Sequence, residues 1–196
     1  MVASREVDVV LVGATGFTGR LVASYLARRG GVRVGLAGRS LEKLKEVATE
    51  TAAVASCSSW DPPLFACALD DATALAKVTS STRVVLSTAG PYSVCGTPLV
   101  AACVATATDY VDINGEVPWV RNVVARYDAE AAARGTILVP NCGCVPSYRC
   151  ARDLPPWPPL AHLRTRHAPP SLRLCFALGP DLLVAQSVPP YLVGMI

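Results

Sequence analysis

The chain has 196 residues, of which 52% are hydrophobic and 17% charged, and its formal net charge is +3. This composition supplies a hydrophobic core and excludes an intrinsically disordered chain, and the small net charge argues against a nucleic-acid-binding surface. The length matches one α/β domain and leaves little room for a second one. No apolar run reaches the roughly 18 residues that a membrane span requires, so no membrane span is expected.

The N-terminal residues and the cysteines bear on the cellular compartment. The segment MVASREVDVV contains acidic residues and lacks the long apolar core of a secretory signal, so a cytoplasmic location is the default expectation. Eight cysteines would permit disulfides in a secreted protein. Because several of them fall in strand-like or helix-like runs, we expect most to be small buried hydrophobic side chains.

A strand, a glycine-containing turn and a helix open the predicted fold. The hydrophobic run Val7–Val12 has the composition of a buried strand, and the residues after the turn follow helical periodicity. Gly30 ends this helix, and Arg28 and Arg29 favour the negative end of its dipole. We expect the helix to bury one side, which carries Leu21, Val22, Tyr25 and Leu26.

Strands and helices then alternate along the chain. Ser40 is a suitable N-cap for a helix over residues 41–49, and Asp70 or Asp71 can cap a short helix that runs through Val78. Further strands are predicted at residues 32–37, 64–69, 83–88, 110–113 and 136–139, with helical patterns before the last two. This alternation predicts an α/β fold with a Rossmann-type, doubly wound parallel sheet.

The composition changes in the last quarter of the chain. Ten of the sixteen prolines lie at residues 146–190, and residues 147–196 carry five arginines against two acids. Proline lacks the backbone donor that helices and strands use. The sequence therefore predicts a dinucleotide-binding domain over residues 1–147 and an irregular Pro/Arg-rich C-terminal tail over residues 148–196.

A metal site near the start of the tail is a weaker hypothesis. Cys142, Cys144 and Cys150 precede His162 and His167, and the spacing of the two histidines is similar to that of zinc fingers. The cysteine spacing matches no familiar zinc pattern, and the intervening prolines oppose a helix. Scattered cysteines and solvated histidines are therefore favoured, and no metal is expected.

The turn after the first strand has the chemistry of a phosphate site. It is Gly13-Ala14-Thr15-Gly16-Phe17-Thr18-Gly19, with glycines three residues apart. A pyrophosphate reaches a helix N-terminus only where the backbone comes close, and glycines allow that approach. With a strand before it and a helix after it, this turn favours dinucleotide binding over a merely structural role. Thr15 and Thr18 could add hydroxyl donors to the phosphates.

The end of the second strand decides the choice of cofactor. A carboxylate at this position would bind the adenosine ribose 2′-hydroxyl and repel a 2′-phosphate. The chain has Gly38-Arg39-Ser40 instead, so Arg39 offers a charge-assisted fork for phosphate and Ser40 a further donor. NADPH is therefore favoured over NADH; the alternative is an exposed arginine with a solvated head.

Two later segments are expected at the same edge of the sheet. Ala89-Gly90-Pro91-Tyr92 follows the fourth strand, where an open parallel sheet places the nicotinamide half of a dinucleotide. Tyr92 either faces a substrate or packs in its loop, and the spacing favours neither. Asp109, Asp112 and Glu116 surround the exit of the fifth strand, where helix-cap and turn roles are favoured over acid/base catalysis.

These motifs together resemble one known family. GATGFTG, AGRS, AGPY followed by CGTPLVAAC, YVDINGE and NCG are similar, in this order, to the N-terminal domain of the saccharopine dehydrogenase-like oxidoreductases and the related trans-acting enoyl reductases. The resemblance covers about residues 7–147. It implies an NADP(H) site formed by Gly13, Ala14, Thr15, Gly16, Phe17, Thr18, Arg39, Ser40, Gly90, Pro91 and Tyr92.

The chain also departs from that family. Family members usually continue their Cys-Gly as Phe-Asp-Ser-Ile/Val-Pro-Ser-Asp, whereas this chain has Cys-Val-Pro-Ser-Tyr at residues 144–148, and the tail does not resemble the family's second domain. The resemblance implies an NADPH-dependent oxidoreductase that acts on a small-molecule imine or enoyl substrate, represented by its cofactor-binding part, and homo-oligomers among full-length relatives. The alternatives are a non-catalytic dinucleotide-binding module and an inert truncated product; no catalytic residue is assigned.

Overall fold

A parallel β-sheet with helices on both faces organises residues 5–56 and 59–142, which are the residues that the computed structural model describes. The strands are β1 (Val7–Val12), β2 (Val34–Gly38), β3 (Leu64–Ala66), β4 (Thr82–Ser87), β5 (Asp109–Asp112) and β6 (Leu138–Val139). The helices are α1 (Phe17–Arg29), α2 (Leu41–Ala55), α3 (Ala72–Ser81), α4 (Tyr92–Ala105) and α5 (Val117–Arg134). The predicted tail lies outside the described residues. So do four of the five residues of the hypothetical metal site, namely Cys144, Cys150, His162 and His167.

The strand order is β3-β2-β1-β4-β5-β6, and every neighbouring pair is parallel. In the centre of the sheet, Val10 of β1 pairs with Gly35 of β2 on one side and with Val85 of β4 on the other. The predicted Rossmann-type α/β fold is therefore confirmed. The order reverses between β1 and β4, which opens a crevice at the carboxyl ends of these two strands.

Most elements lie within a few residues of their predicted positions. β2 begins at Val34 rather than at residue 32, because Gly30 and Gly31 both adopt positive φ and extend the turn before it. α2 continues to Ala55, beyond the predicted residue 49, and β3 is shorter than predicted. Across the described part of the chain, none of the helices combines the length and apolarity that a bilayer crossing needs.

Alternating side chains of β1 divide the core between the two faces of the sheet. Val10 and Val12 belong to a buried cluster with residues of α3, α4 and α5. Val9 and Leu11 belong to a second buried cluster with residues of α1 and α2. Because successive side chains of a strand point to opposite faces, one apolar strand stabilises both helical layers.

The buried face of α1 differs from the predicted one. Leu26 is buried as predicted and Val22 is partly buried, but Leu21 and Tyr25 are 58% and 51% exposed. The prediction was wrong for Leu21 and Tyr25 because, apart from Leu26, the buried residues of the helix are small; they are Gly19, Ala23 and Ala27. A Cβ atom at Gly19 would lie 2.8 Å from the Cα atom of Ala14, so the helix packs too closely for larger residues there.

The Arg5 side chain lies at the amino edge of the sheet and forms hydrogen bonds with the C-terminal ends of two helices. Its Nη1 atom donates hydrogen bonds to the carbonyl oxygens of Thr79 (2.9 Å) and Ser80 (2.8 Å) at the end of α3. Its Nη2 atom donates to the carbonyl oxygen of Thr106 (2.9 Å), just after α4. The last carbonyls of a helix lack intrahelical donors, and one planar guanidinium supplies them for both helices.

Replacing Arg5 by alanine is therefore expected to lower the free energy of unfolding by about 2 kcal/mol, because several carbonyls lose a charged donor at once. Arg5→Lys should recover little of this loss, since one ammonium cannot reproduce the planar fork. Urea denaturation measures both effects. Arg121→Ala, which removes an exposed arginine of α5, is the control and should change stability by less than about 0.5 kcal/mol; an equal loss in both variants would contradict the role of Arg5.

Candidate functional site

A cleft of about 600 Å³ opens at the carboxyl edge of the sheet, where the strand order reverses. Its walls come from the ends of the first four strands, from the glycine turn that leads into α1 and from the first two turns of α4. The lining residues are Val12, Gly13, Thr15, Gly16, Gly38, Arg39, Cys67, Ala68, Leu69, Asp70, Thr88, Ala89, Gly90, Val94, Cys95 and Pro98. The cleft is large enough for part of an extended ligand of the dinucleotide class.

Gly13 brings the turn after β1 against the loop after β4. Its φ of +84° lies in the region that L side chains rarely adopt. A Cβ atom there would lie 2.9 Å from the backbone nitrogen of Ala89 and 3.0 Å from Oγ1 of Thr88. The Thr88 hydroxyl lies 3.1 Å from the Val12 carbonyl oxygen and 3.3 Å from that of Gly13, which joins the two loops by hydrogen bonding.

The N-terminus of α1 differs from those of the other helices that border the cleft. Its N-cap is Gly16, which offers no side-chain acceptor, and no acidic residue lies in its first turn. α2 is capped by the Ser40 side chain, α3 by that of Asp71, and α4 by that of Glu116. The first N–H groups of a helix lack intrahelical partners and carry partial positive charge. The start of α1 can therefore bind an anion such as a phosphate.

Arg39 follows β2 and contributes the cationic side chain of the cleft lining. It is exposed, whereas Ser40 is partly buried and its Oγ atom accepts a hydrogen bond from the Lys43 backbone nitrogen (3.3 Å). Asp70, after β3, lines the cleft as well. The end of β2 itself carries no carboxylate, so a ligand phosphate beside Arg39 would meet a cation there.

The loop after β4 enters the cleft through Gly90, whereas Tyr92 turns away from it. Tyr92 is 6% exposed, packs against Trp119 with ring centroids 5.6 Å apart, and donates a hydrogen bond to the Ser87 carbonyl oxygen (2.9 Å). Burial raises the pKa of Tyr92 well above its usual value, so the hydroxyl stays protonated. Of the two roles considered for Tyr92, the packed aromatic matches the structure.

The three carboxylates near β5 accept hydrogen bonds from the backbone, but Asp109 is the first residue of β5 and lies at the amino edge of the sheet, not at the strand's exit as predicted. Asp109 accepts from the Ile137 nitrogen (2.9 Å) and Asp112 from the Asn141 nitrogen (2.8 Å). Burial raises the pKa of Asp112, although hydrogen bonds from neighbouring groups oppose that shift. Hydrogen bonds from Ser93 and Tyr92 lower the pKa of Glu116. These contacts match the cap and turn roles favoured for these side chains.

The structure separates the predicted site residues into two groups. Gly13, Thr15, Gly16, Arg39 and Gly90 line the cleft. The others adjoin it without lining it, and they are Ala14, Phe17, Thr18, Ser40, Pro91 and Tyr92. The side chain of Phe17 is 83% exposed, whereas Ala14 is fully buried in the core.

Sequence reasoning missed the wall formed after β3 and by the first turns of α4, which includes Cys67, Asp70, Val94 and Cys95. The signal that could have found them is topological, because residues that follow a parallel strand reach the same edge as the glycine turn. Burial raises the pKa of Cys67 to about 11 and also raises that of Cys95, so both are protonated thiols at neutral pH. Among the described residues, no cluster of three His, Cys, Asp or Glu side chains could hold a metal ion.

The tight fit at Gly13 is tested by comparing Gly13→Ala with Gly31→Ala. Both glycines have positive φ, +84° and +79°, but only Gly13 has a neighbouring atom within 4 Å of the added Cβ. Strained φ alone should cost about 1–2 kcal/mol in each variant. Gly13→Ala is expected to cost at least about 1 kcal/mol more in urea denaturation, since backbone atoms must move. Equal losses would show that Ala89 and Thr88 do not constrain the turn.

Comparison with known proteins agrees with this geometry. Residues 9–139 match the family model described as the saccharopine dehydrogenase NADP binding domain. The trans-acting enoyl reductase of Mycobacterium leprae is 42% identical over 140 residues, which are 71% of this chain and 32% of that protein. The trans-acting enoyl reductase of Mycobacterium tuberculosis strain H37Rv is 42% identical over 142 residues, 72% of this chain and 33% of that protein. The chain thus spans about one third of the length of these curated relatives.

A solved structure gives the same fold. The apo saccharopine dehydrogenase (L-Glu forming) of Saccharomyces cerevisiae superposes with a TM-score of 0.57 at 24% identity, over 70% of this chain and 27% of that chain. At this level of identity the likeness supports the fold alone. The family model covers most of the described sheet, from β1 to β6. The chain therefore belongs to the saccharopine dehydrogenase-like family, and residues 9–139 are its NADP-binding domain.

Proposed function

We propose that the carboxyl-edge cleft binds NADP(H) and that the chain provides the cofactor-binding part of an oxidoreductase that reduces an enoyl or imine substrate. The observation that carries the proposal is that Arg39 lies in the same cleft as the uncapped N-terminus of α1. NADP(H) has two separate anionic groups, a diphosphate and a 2′-phosphate. The helix start and the guanidinium would bind one each.

The diphosphate is assigned to the glycine turn. Gly16 leaves the approach open, and the backbone N–H groups of Phe17 and Thr18 belong to the first turn of α1. These two residues would therefore bind through their backbone, which is compatible with side chains outside the cleft lining. Thr15 lines the cleft and can add its hydroxyl. Ala14 contributes by packing the turn onto the core.

The 2′-phosphate is assigned to Arg39 and Ser40. The guanidinium offers two parallel donors to phosphate oxygens. The Ser40 Oγ atom already accepts a bond from Lys43 as the helix cap, which leaves the hydroxyl hydrogen available for a phosphate oxygen. This division of roles supports preference for NADP(H) over NAD(H).

The nicotinamide half is assigned to the loop at Gly90. A bound nicotinamide supplies the hydride in reactions of this class. Gly90 and Ala89 line the cleft on the β4 side of the crevice. Pro91 and Tyr92 would act by positioning this loop, since the Tyr92 hydroxyl is held by Ser87 and stays protonated.

The substrate class is supported by the relatives' names, since the mycobacterial relatives are called trans-acting enoyl reductases and the matching family model is named for saccharopine dehydrogenase. Because the chain spans about a third of those mycobacterial proteins, cofactor binding and turnover are separate proposals. The second candidate is a dinucleotide-binding module without turnover. Among the described residues, Cys67, Cys95 and Cys103 form no disulfide, which supports residence in a reducing compartment such as the cytoplasm.

Fluorescence titration of the 196-residue chain with NADPH tests the first proposal. Saturable binding supports a working cofactor cleft, and its absence would overturn it. Incubation of the same protein with NADPH and an α,β-unsaturated thioester or a cyclic imine then tests turnover, followed as loss of NADPH absorbance. Binding with turnover supports an oxidoreductase that this chain forms by itself, whereas binding without turnover supports a cofactor-binding part or module.

Arg39→Asp should weaken NADPH binding by roughly 10- to 100-fold and change NADH binding by less than about 3-fold. The variant replaces a charged donor by a carboxylate at the site assigned to the 2′-phosphate, and such a donor contributes about 1.5–3 kcal/mol. Titrations with both cofactors measure the two affinities. Lys45→Asp, an exposed charge reversal on α2, is the matched control and should preserve the preference. Equal losses for NADPH and NADH would remove Arg39 from this role.

A further inference from the structure

Glu116 contacts a helix that begins 24 residues earlier in the chain. Its Oε1 atom accepts a hydrogen bond from the Tyr92 nitrogen (2.7 Å), and Oε2 accepts one from the Ser93 nitrogen (2.9 Å). These are the first two N–H groups of α4, whose N-cap, Pro91, has no side-chain acceptor. One carboxylate from the loop after β5 thus caps α4 with both oxygens.

The backbone of Glu116 is itself held by a chain of hydrogen bonds. The Glu116 nitrogen donates to Oδ1 of Asn114 (2.8 Å), and the Asn114 side chain donates to Oδ1 of Asp112 (2.6 Å). Asp112 is 1% exposed and also accepts a bond from the Tyr110 hydroxyl (2.8 Å). The contact to α4 is therefore fixed from the buried end of β5.

The capped turn forms one wall of the cleft. Gly90, Val94 and Cys95 lie on either side of the two N–H groups that Glu116 binds, and all three line the cleft. The Cys95 thiol donates to the Pro91 carbonyl oxygen (3.0 Å), which closes the turn on itself. Glu116 itself does not line the cleft. Its effect on a ligand must act through the position of this wall.

We propose that Glu116 is a positioning residue for the nicotinamide half of the cofactor. It holds the loop at Gly90 and the first turn of α4 in the geometry that receives the nicotinamide, while the adenosine half depends on the glycine turn and on Arg39. This inference rests on the proposed function. It assigns the nicotinamide half and the adenosine half of one ligand to two different parts of the protein.

The test compares NADPH with adenosine 2′,5′-bisphosphate, which carries the adenosine and the 2′-phosphate but no nicotinamide. In the 196-residue chain, Glu116→Ala is expected to weaken NADPH binding by roughly fivefold to tenfold, because two charge-assisted bonds that order the wall are lost. Binding of the bisphosphate should change by less than about twofold. Glu116→Gln keeps one acceptor and should give a smaller loss of NADPH affinity.

The control is Glu130→Gln, which removes an exposed carboxylate paired with Arg134 on α5; both affinities should stay unchanged. Bisphosphate binding by Glu116→Ala also reports that the variant folds, and a fall in affinity for both ligands would overturn the inference in favour of a general structural role. Unchanged NADPH binding would overturn it as well. Failure of the wild-type chain to bind either ligand would instead refute the proposed function, and this inference with it.

Discussion

The cleft depends on the close approach of two loops at the point where the strand order reverses. Gly13 lies against Ala89 and Thr88, and the Thr88 hydroxyl is within hydrogen-bonding distance of carbonyl oxygens at the end of β1. A side chain at residue 13 would separate these loops or distort the turn. The distance between the wall that carries the α1 N-terminus and the wall that begins α4 is therefore set by backbone contact.

The helices that border the cleft differ in how their N-termini are capped. α2, α3 and α4 have side-chain acceptors at their N-termini, whereas α1 begins at a glycine without one. A carboxylate or hydroxyl at a helix start neutralises part of its dipole and occupies its free donors. Of the four helices that border the cleft, α2, α3 and α4 thus have capped N-termini, whereas the N-terminus of α1 is open to an anionic ligand.

The sequence was sufficient for the architecture because parallel strands buried on both faces appear as continuous apolar runs, and Val7–Val12 is an example. The phosphate turn was equally visible, since its glycines and the strand before it are local features. The buried face of α1 was predicted wrongly because Gly19 and Ala23, which pack against the sheet, contribute little to a hydrophobic pattern. Contacts such as Glu116 with Tyr92 join residues far apart in sequence, so they follow only from the tertiary arrangement.

The same limit explains the cleft wall after β3. Cys67 and Asp70 have no motif of their own, and they enter the cleft only because β3 lies beside β2 in the sheet. For Tyr92, the spacing left two roles open, and the choice depended on the neighbouring Ser87 carbonyl and Trp119 ring. Sequence motifs thus locate the edge of the sheet where the cleft lies, whereas tertiary packing determines which side chains line the cleft.

Arg5 has a consequence for how this protein can be attached to a surface or to another protein. The residue lies before β1, at the amino edge of the sheet, and its bonds to the ends of α3 and α4 anchor the chain there. The cleft lies at the opposite, carboxyl edge. A fluorophore, affinity handle or fused reporter joined ahead of residue 5 would therefore enter the fold at the edge away from the cleft.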